Sequence, residues 1–301
     1  MRFKWRTFMI TATIAASSAR AAPQTEPVRI PSFTDIPHAS HYASAAEYDA
    51  AVADRRLTIR RVSYQSDGLT VYAYVYGPRA PKKSEPVIIF NRGSWTWPNG
   101  FVGEILPMAR RLAEKGYVVV APLYRGSGGA AGKDEMGGAD LDDLMNLQPV
   151  LAELPGADPS RIYLYGESRG GMMVYQALRD GFPARAAAVV GGFADMEAML
   201  ADPQWGKASE AIWPDLARNR AEIVRRRSAV QWPERITAPI LIIHGAADSL
   251  VSPTQSLKMA GELLALGRPF QLLIVENGDH TISRRAADRD AWVTDWFARH
   301  P

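Results

Sequence analysis

A chain of 301 residues, 47% hydrophobic and 22% charged, has the balance of a soluble globular protein and is long enough to bury one large α/β core. It contains no cysteine, which excludes disulfides, thiolate nucleophiles and cysteine-based zinc or iron–sulfur sites. The formal charge of +3 belongs to the first 21 residues, where Arg2, Lys4, Arg6 and Arg20 stand without an acid; the remainder is slightly acidic and gives no support for nucleic-acid binding.

Arg2, Lys4 and Arg6 precede a run of mostly small or apolar residues, Thr7 to Ala16, and Ala19-Arg20-Ala21 has the form of a signal-peptidase site. Residues 1–21 are therefore expected to be a signal peptide cleaved near Ala21, placing the protein in the periplasm or outside the cell. The apolar run is too short for a permanent membrane anchor. Residues 22–56 follow as an N-terminal arm, whose Pro23, Pro27, Pro31 and Pro37 predict an extended path over the surface. Residues 57–301 are expected to form one α/β domain.

Its first elements are strands. Leu57 to Ser66 and Leu69 to Tyr76 flank Asp67-Gly68, a two-residue hairpin signal. Short apolar runs then recur at Val87 to Phe90, Tyr117 to Ala121, Ile162 to Tyr165, Ala186 to Val190, Ile240 to Ile243 and Phe270 to Val275, the pattern of parallel strands buried on both faces. Helices are expected between them at Gly103 to Lys115, Asp140 to Glu153, Gly170 to Asp180, Thr254 to Leu266 and Arg284 to Arg299. This alternation predicts a mostly parallel, doubly wound sheet of about eight strands with an antiparallel hairpin at its start. A helix-rich stretch at about 194–234, longer than a crossover requires, reads as a small cap insertion. Its Arg225-Arg226-Arg227 reads as a solvated helix end.

The strongest chemical signal is Gly166-Glu167-Ser168-Arg169-Gly170, placed between a strand and a helix. There a serine hydroxyl can be raised above the sheet on a tight turn that the glycines permit, as in an α/β-hydrolase. Such a serine needs a base. Of the five histidines, His38 and His41 lie in the arm with no third metal ligand nearby, His300 is penultimate, and His244 ends a strand where it shapes a turn. His280, on the loop after the last strand, remains as the base, and Asp248, after the preceding strand, as the acid that orients it. The order Ser168, Asp248, His280 is that of an α/β-hydrolase. The backbone N–H of Arg169 is one expected oxyanion donor, and that of Ser94 or Trp95 is the second, on a loop where Gly93 allows close approach. Arg92, Trp95, Trp97 and Glu167 are the candidate substrate-binding residues; the Arg169 side chain is expected near the cleft or against an acid such as Glu167. No metal or cofactor is implied.

Together these residues resemble the catalytic domain of the prolyl oligopeptidase family of serine hydrolases. The further markers are Tyr124-Arg125-Gly126-Ser127-Gly128, the acidic segment Asp140 to Asp143, Asp158-Pro-Ser-Arg161 before the nucleophile strand, the extra Gly171, and Ile236-Thr-Ala-Pro239 leading to His244-Gly245-x-x-Asp248. The resemblance covers Pro86 to His300 and implies that Ser168, Asp248 and His280 form the catalytic triad. Two departures accompany it. The residues before Pro86 are too few for the β-propeller that family peptidases usually carry, and Arg92 stands where many members place a tyrosine. Stand-alone domains of this kind also resemble esterases and dienelactone-hydrolase-like enzymes, so a short peptide or a small ester is expected as substrate, with an esterase lacking peptidase activity as the alternative. A non-catalytic binding protein on the same fold is the reading from another class, and the complete triad weighs against it.

Overall fold

The structure, a computed structural model, describes residues 23–81, 83–94 and 101–301. The expected signal peptide, Trp95 and Trp97 lie outside the described residues. Among the described residues nine strands form one sheet: β1 (Gln24–Pro27), β2 (Leu57–Ser66), β3 (Leu69–Pro78), β4 (Glu85–Asn91), β5 (Val118–Pro122), β6 (Ala157–Glu167), β7 (Ala186–Val190), β8 (Ile240–Gly245) and β9 (Phe270–Val275). Their spatial order is β1-β2-β3-β5-β4-β6-β7-β8-β9, antiparallel from β1 to β5 and parallel from β5 to β9.

The hairpin pairs Ser66 with Leu69 across Asp67-Gly68, both of which have positive φ (50° and 77°), as a type I′ turn requires. All residues of β5, β7 and β8 are buried, which is why their sequences are uninterrupted apolar runs. The ninth strand, β1, lies in the arm. Its four residues are all exposed, so no apolar alternation announces it; ladder bonds to β2 and the Glu26–Arg61 ion pair at 2.7 Å hold it instead.

The helices are α1 (Ala39–Tyr42), α2 (Ala45–Ala53), α3 (Val102–Glu114), α4 (Leu141–Met145), α5 (Arg169–Arg179), α6 (Met196–Ala201), α7 (Pro203–Ile212), α8 (Leu216–Arg227), α9 (Thr254–Ala265) and α10 (Ala286–Ala298). They cover both faces. Alternate residues of β4 divide between two cores: Val87 and Ile89 pack with α5 and α9, Ile88 and Phe90 with α3 and α10. The helix expected from Asp140 to Glu153 is broken into α4 and a 3₁₀ segment, Gln148–Glu153. Pro149 has no N–H to give and its ring would collide with the carbonyl of Met145 in a continuous helix. The stretch between β7 and β8 holds α6, α7 and α8; Arg225 is exposed as expected, but the last arginine of the run differs from expectation. Arg227 is buried, with its guanidinium 4.9 Å from the Trp213 ring and bonded to the Met136 carbonyl at 2.7 Å.

The arm is built into this core. A capping box between Ser44 and Glu47 starts α2, which buries Tyr48 and Ala51, and the Tyr48 hydroxyl donates to the Pro31 carbonyl at 2.8 Å. Buried Ile36 fills the space above Gly103 of α3, where a Cβ would lie 2.5 Å from its Cδ1. The arm thereby reaches the rim at which the strand ends gather the candidate site.

Candidate active site

β6 ends at Glu167 and α5 begins at Arg169, so Ser168 alone makes the turn, at φ 55° and ψ −123°. A left-handed conformation is costly for a serine and persists only when neighbours impose it. The Ser168 N–H donates to the Val190 carbonyl at 2.9 Å, and its carbonyl accepts from Gly171 at 2.9 Å. Close approach requires the flanking glycines: a Cβ at Gly166 would lie 2.3 Å from the Gly170 carbonyl oxygen, and one at Gly170 only 1.9 Å from that of Asn91. Gly170→Ala is therefore expected to cost about 3 kcal/mol of stability, read from denaturant unfolding; a change below about 0.5 kcal/mol, the range of an ordinary surface substitution, would show the turn to be looser than its contacts indicate.

Asp248 follows β8 and is fully buried at its side chain. Its Oδ1 accepts from the N–H groups of Leu250 and Val251, each at 2.9 Å. Its Oδ2 meets His280 Nδ1 at 2.7 Å and His244 Nε2 at 3.0 Å. Burial opposes the charge of this carboxyl, but the bonds from His244 and His280 prevail and hold it well below the usual carboxylate range. His244 has the structural place expected of it, with Nε2 also 2.9 Å from the Val251 carbonyl and Nδ1 2.6 Å from Ser256 Oγ. His280 hangs from the loop after β9, its ring lying over Gly191, where a Cβ would come within 3.0 Å of Nδ1. Gly191 is a requirement that sequence reasoning missed; its position, directly after an apolar strand, was the available signal.

Ser168 and His280 face one cavity of about 300 Å³, together with Ser94 and Arg169. Its walls are mainly apolar, with Phe90, Phe101, Ile105 and Phe193 among them, while His41 and Tyr42 of α1 close one side. Glu104 brings a carboxylate to the wall; burial raises its proton affinity against the lowering effect of backbone N–H bonds.

The candidate substrate contacts fare differently. Glu167 lies on the wall but pairs with Arg289 at 2.8 Å and accepts from the Tyr165 hydroxyl at 3.0 Å. It does not pair with Arg169, whose side chain is buried between Asp134, at 2.8 Å, and Asp140. Arg92 touches the wall, yet its guanidinium turns inward to Asp134 at 3.1 Å and to the Leu123 carbonyl and Ser127 hydroxyl. The expected substrate contact of Arg92 is thus replaced by a buried ion pair. Burial pushes its pKa down to about 10, helped by the like charge of Arg169 and opposed by Asp134. Asp134 and Asp140 were missed from sequence, since nothing local marks which acid meets a buried cation.

Fold and site together define an α/β-hydrolase, and the chain is a serine hydrolase. The family model described as "Prolyl oligopeptidase family" matches residues 108–301, and the chain belongs to that family. It is 28% identical over 213 residues to the "Uncharacterized peptidase YtmA" of Bacillus subtilis (strain 168), covering 70% of this chain and 81% of that one. It is 25% identical over 254 residues to "Dipeptidyl-peptidase 5" of Porphyromonas gingivalis, covering 77% of this chain but 36% of the relative. A solved structure of an acylaminoacyl peptidase in complex with Z-Gly-Gly-Phe-chloromethyl ketone superposes with a TM-score of 0.68 at 26% identity, over 82% of this chain and 42% of that one. The chain thus spans most of YtmA and well under half of the two larger relatives.

Proposed function

We propose that this is an exported serine peptidase acting on short peptides through an acyl-enzyme, with Ser168 as nucleophile, His280 as general base and acid, and Asp248 as the group that orients His280. The observation that carries this reading is the 2.7 Å bond from His280 Nδ1 to buried Asp248, on a ring that shares its cavity with Ser168. With its proton held on Nδ1 by the carboxylate, the imidazole offers Nε2 to the serine hydroxyl. Ser168 attacks the carbonyl carbon and His280 takes its proton. The tetrahedral intermediate collapses as the protonated imidazole returns that proton to the leaving group. Water then repeats the sequence, releasing the acid and restoring Ser168. The Arg169 N–H at the start of α5 and the Ser94 N–H beside it are the proposed oxyanion donors, aided by the helix dipole.

The peptide preference follows the relatives, which are named as peptidases; a small-ester hydrolase is the second reading, favoured by a cavity of about 300 Å³ that suits a compact acyl group. Export rests on the basic and apolar leader. A paired screen of aminoacyl-p-nitroanilides and p-nitrophenyl esters decides the substrate. Turnover of both is expected, because a serine hydrolase that cleaves amides also cleaves activated esters. Ester turnover with no amide turnover would leave the esterase reading alone.

A further inference from the structure

Ser94 stands beside the nucleophile at φ 58°, a backbone conformation that costs a serine about 1–3 kcal/mol unless its surroundings enforce it. Gly93, the residue before it, approaches Ser168 so closely that a Cβ there would lie 3.2 Å from the serine Cβ. The turn thus abuts the proposed nucleophile, and two buried guanidiniums hold it. Arg92 Nη1 donates to the Gly93 carbonyl at 3.1 Å and to the Ser94 carbonyl at 2.9 Å. Arg169 Nη1 donates to the same Ser94 carbonyl at 2.9 Å.

The two cations are themselves fixed. Asp134 Oδ2 accepts from both, at 3.1 and 2.8 Å, and Asp140 accepts from Arg169 Nη2. Asp140 is tied in turn to the N–H groups of Glu135, Gly137 and Gly138. The guanidiniums lie 5.1 and 4.7 Å from the Tyr124 ring, whose hydroxyl donates to Asn91 at 2.8 Å. Within the assembly two cations face two carboxylates. Among the described residues Arg92 has no accessible donor left for substrate, since both Nη atoms are engaged and Nε is buried and unpaired there.

In a trans peptide the C=O and the following N–H point in opposite directions. Gripping the Gly93 carbonyl from one side therefore turns the Ser94 N–H to the other. We propose that Arg92 and Arg169, joined through Asp134, are positioning residues that clamp the Gly93 and Ser94 carbonyls and thereby aim the Ser94 N–H at the oxyanion formed during attack by Ser168. The proposal rests on the serine-hydrolase mechanism above and adds to it the origin of the loop's strained geometry.

The test compares wild type with Arg92→Met, which keeps volume without donors, and Arg92→Lys, which keeps the charge but gathers its donors on one nitrogen and so cannot span the acceptors that the two Nη atoms reach on either side. Fluorophosphonate titration to completion counts competent Ser168, and p-nitrophenyl acetate gives kcat and KM. For Arg92→Met the expected result is full labelling stoichiometry, KM within about threefold and kcat lower by about 100-fold, the loss typical of one oxyanion donor. Arg92→Lys is expected to fall between this variant and wild type, and it carries the test if Arg92→Met does not fold. A folded Arg92→Met or Arg92→Lys with wild-type kcat overturns the clamp. So does a raised KM at unchanged kcat, which would make Arg92 a substrate contact. Loss of labelling stoichiometry in proportion to kcat overturns it as well, because the damage would then be to folding and not to aim. Failure of the underlying mechanism looks different: wild type itself would take no label.

Discussion

Ser168→Ala is expected to abolish covalent labelling by a fluorophosphonate and to lower kcat by roughly 10⁴- to 10⁶-fold, with the fold intact. The substitution removes one oxygen from a turn whose backbone bonds, to Val190 and from Gly171, do not use that oxygen. Alanine does retain the cost of the left-handed conformation, so stability should change little. The residual rate would come from the oxyanion donors and from substrate binding, which survive loss of the nucleophile. Circular dichroism and melting, run beside the labelling assay, separate loss of chemistry from loss of structure. Labelling that persists in the alanine variant would reject Ser168 as nucleophile.

Asp248→Asn is expected to lower kcat by about 10⁴-fold. The side chain's two oxygens have different duties. Oδ1 accepts from the N–H groups of Leu250 and Val251, while Oδ2 accepts from His280 and His244. An asparagine at this position keeps its carbonyl on the two backbone donors and turns its NH₂ toward the rings. His280 Nδ1 must then accept instead of donate, which moves the ring proton to Nε2, and the base can no longer take the serine proton. The same carboxyl makes a prediction in acid. Its proton affinity is lower in the folded chain than in the unfolded chain, so the unfolded state binds more protons and stability rises with pH. The contribution is complete above the ordinary carboxylate range and is lost as the pH falls through the lower folded value. Acid denaturation of Asp248→Asn should accordingly have a shallower pH dependence than that of wild type; coincident curves would mean that the carboxyl is not held ionised by its histidines.

Much of this was legible in the sequence, for a physical reason. Strands buried on both faces must be apolar without interruption, so β5, β7 and β8 stand out in the chain, and a nucleophile turn must have glycines where backbones meet. Asp248 was proposed because it follows β8, and His280 because it follows the apolar run of β9, which proves to be an edge strand only partly buried. What escaped has its own cause. β1 is exposed along its whole length and held by backbone bonds, which leave no mark in side-chain pattern. The capping box of α2 was present in Ser44 and Glu47 but lay within a segment read through its prolines. Arg92 meets Asp134 across 42 positions, and Arg169 meets Asp140 across 29. Pairings at such separations are decided by the folded path of the chain, so an arginine on a candidate substrate loop proved to face the interior.

The wall formed by His41 and Tyr42 alters what the amino-terminal segment means for this molecule. It is joined to the sheet at β1, seated on Gly103 through Ile36, and ends against the very hollow in which bond cleavage is proposed. The enclosure of that hollow thus depends in part on a stretch that contributes no reacting group. Proteolytic trimming past residue 42 would remove β1 and buried Ile36 along with this wall, so the expected cost is one of stability as well as of enclosure.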